Sequence, residues 1–388
     1  MRTTIIVLCI LFTTFHTLLH SQSSNLDDVN ISILTCRSGD ELYSTFGHTA
    51  IRLKTKTEDQ VFNYGLFDFN TPNFYVKFMR GQLPYHLGST TYGRFLQEYT
   101  YEERSVFEQK LNMTKEQKQY FLELLAENLK PENRQYKYDF FFDNCTTRVY
   151  DLLAKTYPLL QAPAYNESLT FRDMLQTKLQ GMPWSAFGID LVIGARADKL
   201  VTDKERMFLP TYFMEFLEVA TVEDSLGTTS IAEEPYLVLD YEEKMDIRNE
   251  PHILGILLFS IGFLVLTIGF QFLPLRFANI FNHTLLIIGG VLGIFILFMW
   301  FGTDHLATKN NWNLLWLNPL YLVYLTIKGD AKKYIKWLLI GCLVVALIIS
   351  FIGWPQEYNM WFKYLIMAYL YIVVDVKFRK EKAGNLNS

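Results

Sequence analysis

The chain has 388 residues, room for about two domains, with half of them hydrophobic and 20% charged. A formal net charge of −4 excludes the strongly basic class that binds nucleic acid, and no nucleic-acid partner is expected. The charge precedes Glu250 for the most part, and apolar stretches dominate after it.

Residues 1–21 read as a signal peptide. Arg2 supplies the positive start, Ile5–Leu19 is apolar, and Ser21 precedes a cut at Gln22. Leu19 fits the −3 position poorly, which leaves an uncleaved anchor as the alternative. Cys9 lies too early in the apolar run for a lipoprotein signal.

Residues 22–250 then predict an exported α+β domain. Val29–Cys36, Thr49–Thr55 and Gln60–Phe67 read as strands, with Lys56–Asp59 as a polar hairpin connection. Glu41, Tyr43 and Ser44, just before His48, either line a site or cap a loop. Thr114–Leu129 reads as a helix with Thr114 as N-cap, Gln117 at N3 and Pro131 beyond its end. The apolar run Phe140–Phe142 leads into a helix at Cys145–Lys155, capped by Asp143 or Asn144. Asp190, Arg196 and Asp198 read as surface charges. Thr221–Glu250 reads as an acidic linker in which Tyr236–Leu239 is a candidate strand.

Five apolar stretches follow, near 252–273, 284–301, 313–327, 335–354 and 360–376. They predict an all-α transmembrane domain of about five helices over 251–377, with a cytoplasmic tail at 378–388. Arg276, the group Lys328, Lys332, Lys333 and Lys336, and the basic tail then all fall on one side. Lys309 is nearly alone on the other, so the positive-inside rule places residues 22–250 outside.

The chemistry concentrates in two short motifs, Gly47-His48-Thr49-Ala50-Ile51-Arg52-Leu53 and Asp143-Asn144-Cys145-Thr146-Thr147-Arg148. A thiol of pKa ~8.5 is lowered at a helix start, which makes Cys145 a candidate nucleophile. The alternative is a disulfide with Cys36 in an oxidising compartment. His48 is the candidate base and acid for that thiol. Asn63 on the neighbouring strand is the candidate third residue that orients the ring, with Asp68 as runner-up. Asn144, Tyr43, Ser44 and Tyr64 are candidate supports. Arg148 either meets a phosphate or pairs with Asp151. Asp304, His305 and Asn313 are candidates at the membrane edge, for lipid headgroups or as a hydrated interfacial loop. No cluster has zinc spacing, and there is no Walker loop, dinucleotide fingerprint or Gly-x-Ser-x-Gly elbow, so no metal or cofactor is called for.

The order of a His strand, a polar strand and Asn-Cys at a helix start resembles the circularly permuted papain-like fold. That group includes NlpC-type peptidases and lecithin:retinol acyltransferase-like enzymes. His48-Thr49-Ala50-Ile51 and Asn144-Cys145 carry the likeness, and Asn63 stands where those enzymes commonly have His. Over most of the chain the sequence resembles the Lnb family, lipoprotein N-acyltransferases of Bacteroidetes-type bacteria. The segments are Leu34-Thr35-Cys36, Glu41 to Ala50, Phe62 to Phe69, Asp143 to Arg148, and Asn313 to Leu320.

The resemblance implies an inner-membrane enzyme, multi-pass, with a periplasmic catalytic domain and a cytoplasmic C-terminus. It implies a membrane phospholipid as acyl donor, a thioester on Cys145, and the α-amine of a diacylglyceryl-cysteine lipoprotein as acceptor. Backbone N–H groups at the helix start would hold the oxyanion. The rivals are a cell-wall cysteine amidase or peptidase, a phospholipase using the same Cys–His pair, and a non-enzymatic, membrane-anchored binding module.

Overall fold

The computed structural model describes residues 26–158, 160–161, 165, 167–224, 227–241 and 253–385. The predicted signal peptide lies outside the described residues.

The N-terminal half is built on one antiparallel sheet. Strands β1 (Asn30–Cys36), β2 (His48–Lys54) and β3 (Asp59–Leu66) form a meander. After α1 (Phe74–Met79), β4 (Pro84–Thr91) pairs with β3. Helix α2 (Tyr92–Tyr101), β5 (Val106–Lys110), α3 (Lys115–Leu129) and β6 (Gln135–Lys137) follow. Helix α4 (Cys145–Thr156) then packs onto β2 and β3.

Every residue of β1 after Asn30 is buried because both faces of the sheet are covered. Ile31, Ile33, Ile51 and Phe62 face α3 and α4, where they meet Phe121, Leu125, Val149 and Leu153. The alternate residues Leu34, Ala50 and Val61 meet Phe95 and Tyr99 of α2. The register sets Cys36 opposite His48 at the end of the β1–β2 pair.

Between α4 and the membrane half lie β7 (Leu160–Gln161), α5 (Phe171–Leu179), α6 (Pro183–Val192), α7 (Asp203–Arg206) and α8 (Pro210–Val219). The described part of the stretch read as a linker, residues 221–224 and 227–241, is structured. Strands β8 (Thr221–Asp224) and β9 (Gly227–Ser230) form a hairpin beside β7. Strand β10 (Tyr236–Leu239) closes the large sheet on β5, giving the order β10-β5-β1-β2-β3-β4-β6. Acidity misled the reading: Glu223, Glu233 and Glu234 fall in a hairpin and turn with their charges exposed, while Ile231 and Ala232 reach the core.

The C-terminal half holds α9 (Ile253–Phe270), α10 (Leu275–Phe301), α11 (Leu320–Thr326), α12 (Asp330–Ile352) and α13 (Phe362–Asn385). Among the described residues α10 and α12 are long and apolar enough to cross a membrane. The stretch near 313–327 is not one span. It is a 3-10 turn at Trp312–Leu315, a bend at Asn318-Pro319, and α11, whose seven residues rise about 10 Å. Pro319 breaks the run because it cannot donate the helical hydrogen bond.

A polar seam joins the halves. Asn313 Nδ2 donates to the carbonyls of Asp190 and Leu191 (3.0 and 3.2 Å), and Asn311 Nδ2 to those of Leu191 and Val192 (both 2.9 Å). Gln356 Nε2 donates to Ile193 O, and its Oε1 accepts from Trp312 N–H. Asn359 Nδ2 donates to the Asp190 carboxylate at 2.9 Å. A Cβ on Gly194 would stand 2.0 Å from Lys309 O, so only glycine allows this approach. The end of α10, the end of α12 and the start of α13 therefore all abut the N-terminal domain. The Trp312–Thr326 segment carries the chain back to the far end, where Lys328, Lys332, Lys333 and Lys336 lie.

Candidate active site

Cys145 is placed by a loop that is tied at every turn. Asp139 and Asp143 exchange two backbone hydrogen bonds of 3.0 Å, and Asp139 Oδ1 accepts the N–H groups of Phe141 and Phe142. Phe141 anchors the loop among Phe171, Phe208 and Met174. Asn144 is then the N-cap of α4. Its Oδ1 accepts from Thr146 N–H (2.8 Å) and Thr147 N–H (2.9 Å), and its Nδ2 donates to Phe140 O and Phe208 O (both 2.8 Å). An Asp could cap the helix but could not donate the last two bonds, which is why the cap is Asn. Cys145 follows at the first helical position.

His48 opens β2 after Gly47, where a φ of +80° and the 2.7 Å that a Cβ would stand from Cys36 O require glycine. Its Nε2 lies 3.1 Å from Asn63 Oδ1. With that amide oxygen accepting, the neutral ring carries its proton on Nε2, and Nδ1 is left to take a proton from the thiol. Thr49 Oγ1 meets Thr146 Oγ1 at 3.1 Å and ties β2 to the first turn of α4.

Burial pushes the Cys145 thiol up. The charge of His48, a hydrogen bond to it, the Thr49 backbone N–H and the Thr146 hydroxyl together overcome that and bring it down to about 7. Burial likewise lowers His48, but the charge of Cys145 and hydrogen bonds with Cys145 and Asn63 leave it raised. Each partner thus favours the charged form of the other, the arrangement of an activated thiolate–imidazolium pair. Cys36, by contrast, is pushed up to about 12 by burial. Both cysteines are free thiols, so the alternative disulfide does not form.

Two family matches cover most of the chain. The Lnb N-terminal periplasmic domain matches residues 18–177, and the Lnb transmembrane domain matches residues 242–381. The chain belongs to the Lnb family. Comparison with curated proteins and with solved structures gives no match. His48, Asn63 and Cys145 fall within the Lnb periplasmic domain, and Asp304 and Asn313 within the Lnb transmembrane domain.

The other predicted residues fall elsewhere. Asp68 caps an exposed turn through Asn70, and the partner of His48 Nε2 is Asn63. Tyr43 is 78% exposed, and Ser44 bonds Glu41 O, so this segment is a capped loop. The Tyr64 hydroxyl accepts from Asn128 Nδ2 at 2.8 Å within the core. Arg148 does not pair with Asp151, which lies next to Lys204. It forks onto Asp143 (Nη2 to Oδ2, 2.7 Å) across the first turn and stacks over the Tyr136 ring at 4.0 Å.

At the membrane edge, Asp304 pairs with Lys137 at 2.7 Å. His305 Nε2 donates to Phe78 O at 3.1 Å. Asn313 is fully buried in the seam, so it offers nothing to a headgroup. Asp190 and Asp198 are not surface charges. Both pair with the buried Arg172, while Arg196 sits over the Phe142 ring. Sequence reasoning had no signal for this cluster, because its partners lie on different helices.

Sequence reasoning also missed an aromatic strip beside Cys145. A Cβ on Gly65 would be 3.8 Å from the Tyr138 ring and 3.9 Å from Cys145 Cβ, so Tyr138 flanks the thiol. From Tyr138 the rings run on through Tyr85 (4.7 Å), Phe67 (5.4 Å), Phe69 (5.0 Å), Phe74 (5.0 Å) and Phe78 (6.2 Å). Phe69, Tyr75, Val76, Phe78 and Met79 are exposed. The strip ends at the membrane half, where Arg80 O accepts from Asp304 N–H at 2.8 Å. A separate apolar cavity of about 450 Å³ lies between Leu297, Trp300, Trp312 and Leu314 and touches none of the three site residues. Among the described residues no cluster of three His, Cys, Asp or Glu could hold a metal ion.

Proposed function

We propose that this Lnb-family protein is a cysteine-dependent acyltransferase of the bacterial inner membrane. In this reading Cys145 takes an acyl chain from a phospholipid and passes it to the α-amine of a diacylglyceryl-cysteine lipoprotein. The observation that carries it is the activated Cys145–His48–Asn63 set at one end of an exposed aromatic strip whose other end meets the loop that follows α10. The order of the His48 strand, the Asn63 strand and the Cys145 helix supports a permuted papain-like site. The run of α13 away from the domain-facing end supports a cytoplasmic C-terminus.

The chemistry follows from the geometry. His48 Nδ1 takes the Cys145 proton and the thiolate attacks the ester carbonyl. The ester C–O bond breaks as His48 returns the proton to the lysophospholipid oxygen. The thioester on Cys145 is then attacked by the amine. His48 takes the amine proton, and the thiolate leaves as the amide forms. Both substrates stay in the bilayer, so a seam that fixes the site at the membrane surface supplies the positioning. A cell-wall amidase would use the same three residues on a water-borne substrate, for which the aromatic strip has no use.

Mass spectrometry of lipoprotein N-termini from cells relying on this protein tests the reading. With Cys145→Ala, the N-acyl group should be lost and diacyl forms should accumulate. Unchanged triacylated lipoproteins would discard the assignment.

A further inference from the structure

An acyl transfer through Cys145 needs donors for the oxyanion, and the helix start does not supply enough of them. The Asn144 side chain takes the N–H groups of Thr146 and Thr147, and Arg148 N–H bonds Asn144 O. Of the first turn, the Cys145 N–H alone stays outside these bonds. One further donor is already beside the thiol. The Tyr136 hydroxyl is buried, with the residue 8% exposed, and has no hydrogen-bond partner among the described residues. A buried hydroxyl left unpaired is costly, so its persistence at this spot calls for a use.

The space it faces is kept open by Gly65. This residue has a φ of +88° in the irregular stretch of β3, where the register with β4 shifts. The missing Cβ would be 3.9 Å from the Tyr136 hydroxyl and 3.9 Å from Cys145 Cβ. A carbonyl carbon bonded to Sγ could therefore direct its oxygen into this gap. The ring is held by the Arg148 guanidinium above it and the Tyr64 ring at its edge, so the hydroxyl has a fixed position. Burial keeps its proton on, while the Arg148 charge on the ring strengthens it as a donor.

We propose that the Tyr136 hydroxyl, with the Cys145 N–H, forms the oxyanion hole of this enzyme. As the thiolate forms the S–C bond, the carbonyl π pair moves onto oxygen, and that oxygen accepts from Tyr136 O–H. When the pair returns, the C–O bond to the leaving group breaks and the Tyr136 proton stays where it was. The proposal rests on the acyl-transfer reading.

The test uses the full-length protein in detergent and two reagents for the same thiol. A p-nitrophenyl fatty ester acylates through an oxyanion and needs no proton on its leaving group. Iodoacetamide alkylates by direct displacement without one. Tyr136→Phe keeps the ring under Arg148. It should slow the p-nitrophenolate burst by about 10²-fold, the loss typical of one oxyanion donor, and leave alkylation within about twofold. An unchanged burst overturns the role of Tyr136 while the nucleophile stands. Equal losses in both reactions overturn it too, since they would place the effect on the thiol or the fold. Wild-type protein that alkylates but never acylates would overturn the acyl-transfer reading and this inference with it.

Discussion

The seam around Asp190 and the site around Cys145 are both buried and polar, yet they are satisfied to different degrees. In the seam the side-chain amides of Asn311, Asn313, Gln356 and Asn359 each donate through nitrogen and accept through oxygen. Arg172 is matched by two carboxylates. At the site Asn144 is equally saturated, but the groups around Cys145 are not: a free thiol, a histidine with one nitrogen to exchange, and a Tyr136 hydroxyl with no partner among the described residues. Saturation marks scaffold, because a fully paired polar group gives up stability if anything moves. Unused valence beside a scaffold is where, in the proposed reading, a substrate would complete the set.

The sharpest way to break this comparison is to disturb the seam and leave the site alone. Gly194→Ala puts a methyl group into Lys309 O, and no rotamer relieves it because the clash involves Cβ. The halves must part or tilt at this point. Transfer from phospholipid vesicles should fall by about 10²-fold, the scale of a site misplaced by an ångström. Alkylation of Cys145 by iodoacetamide should hold, since its loop is anchored within the N-terminal domain by Phe141 and Asn144. Normal vesicle-dependent transfer in this variant would show that docking is not used to place the site.

Within the site the effects are smaller and depend on pH. Cys145, brought down to about 7, should alkylate at a rate that rises through about pH 7 and levels above it. Cys36, pushed up to about 12 and buried, should stay unmodified across that range. Acyl transfer needs the imidazolium as well, so its rate should rise with the thiolate and fall again as the raised His48 loses its proton. Asn63→Ala removes a bond that favours protonated His48. The imidazolium then supports the thiolate less, so the alkylation profile should shift to higher pH. The rate near pH 6 should drop on the order of tenfold, since each pH unit below the pKa is a factor of ten in thiolate. A profile that does not move would show that Asn63 has no part in setting the ring.

Much of the candidate site was legible because its positions are tied to local pattern. His48 and Asn63 sit on strands announced by β-branched and apolar runs, and Asn144-Cys145 sits at a helix start with capping chemistry. Arg148 was misassigned since the i+3 partner Asp151 looked available, whereas the guanidinium turns back to Asp143 at the helix start, where it also covers Tyr136. Asn313 read as interfacial because a polar residue next to a Trp at a span end commonly is. Its partners are carbonyls at the end of α6, which no local pattern reveals. Tyr136 was invisible for the same reason: β6 is three residues long, and the orphan hydroxyl exists only once Gly65, Tyr64 and Arg148 surround it.

The aromatic strip gives the mildest test, and it separates a substrate path from an unused surface. Phe69 is 72% exposed and touches Phe67 and Phe74, so truncating it removes contact area without opening the core. If acyl chains lie along these rings, Phe69→Ser loses on the order of 1 kcal/mol of apolar contact per chain, or about fivefold in KM. The loss should grow with donor chain length and vanish for a short-chain ester, because only a long chain reaches from Cys145 past Tyr85 to Phe69. Turnover at saturation should be unchanged, since Phe69 touches none of the reacting groups. A KM that is equal for both proteins at every chain length would remove the strip from the substrate path and leave it as an exposed apolar surface.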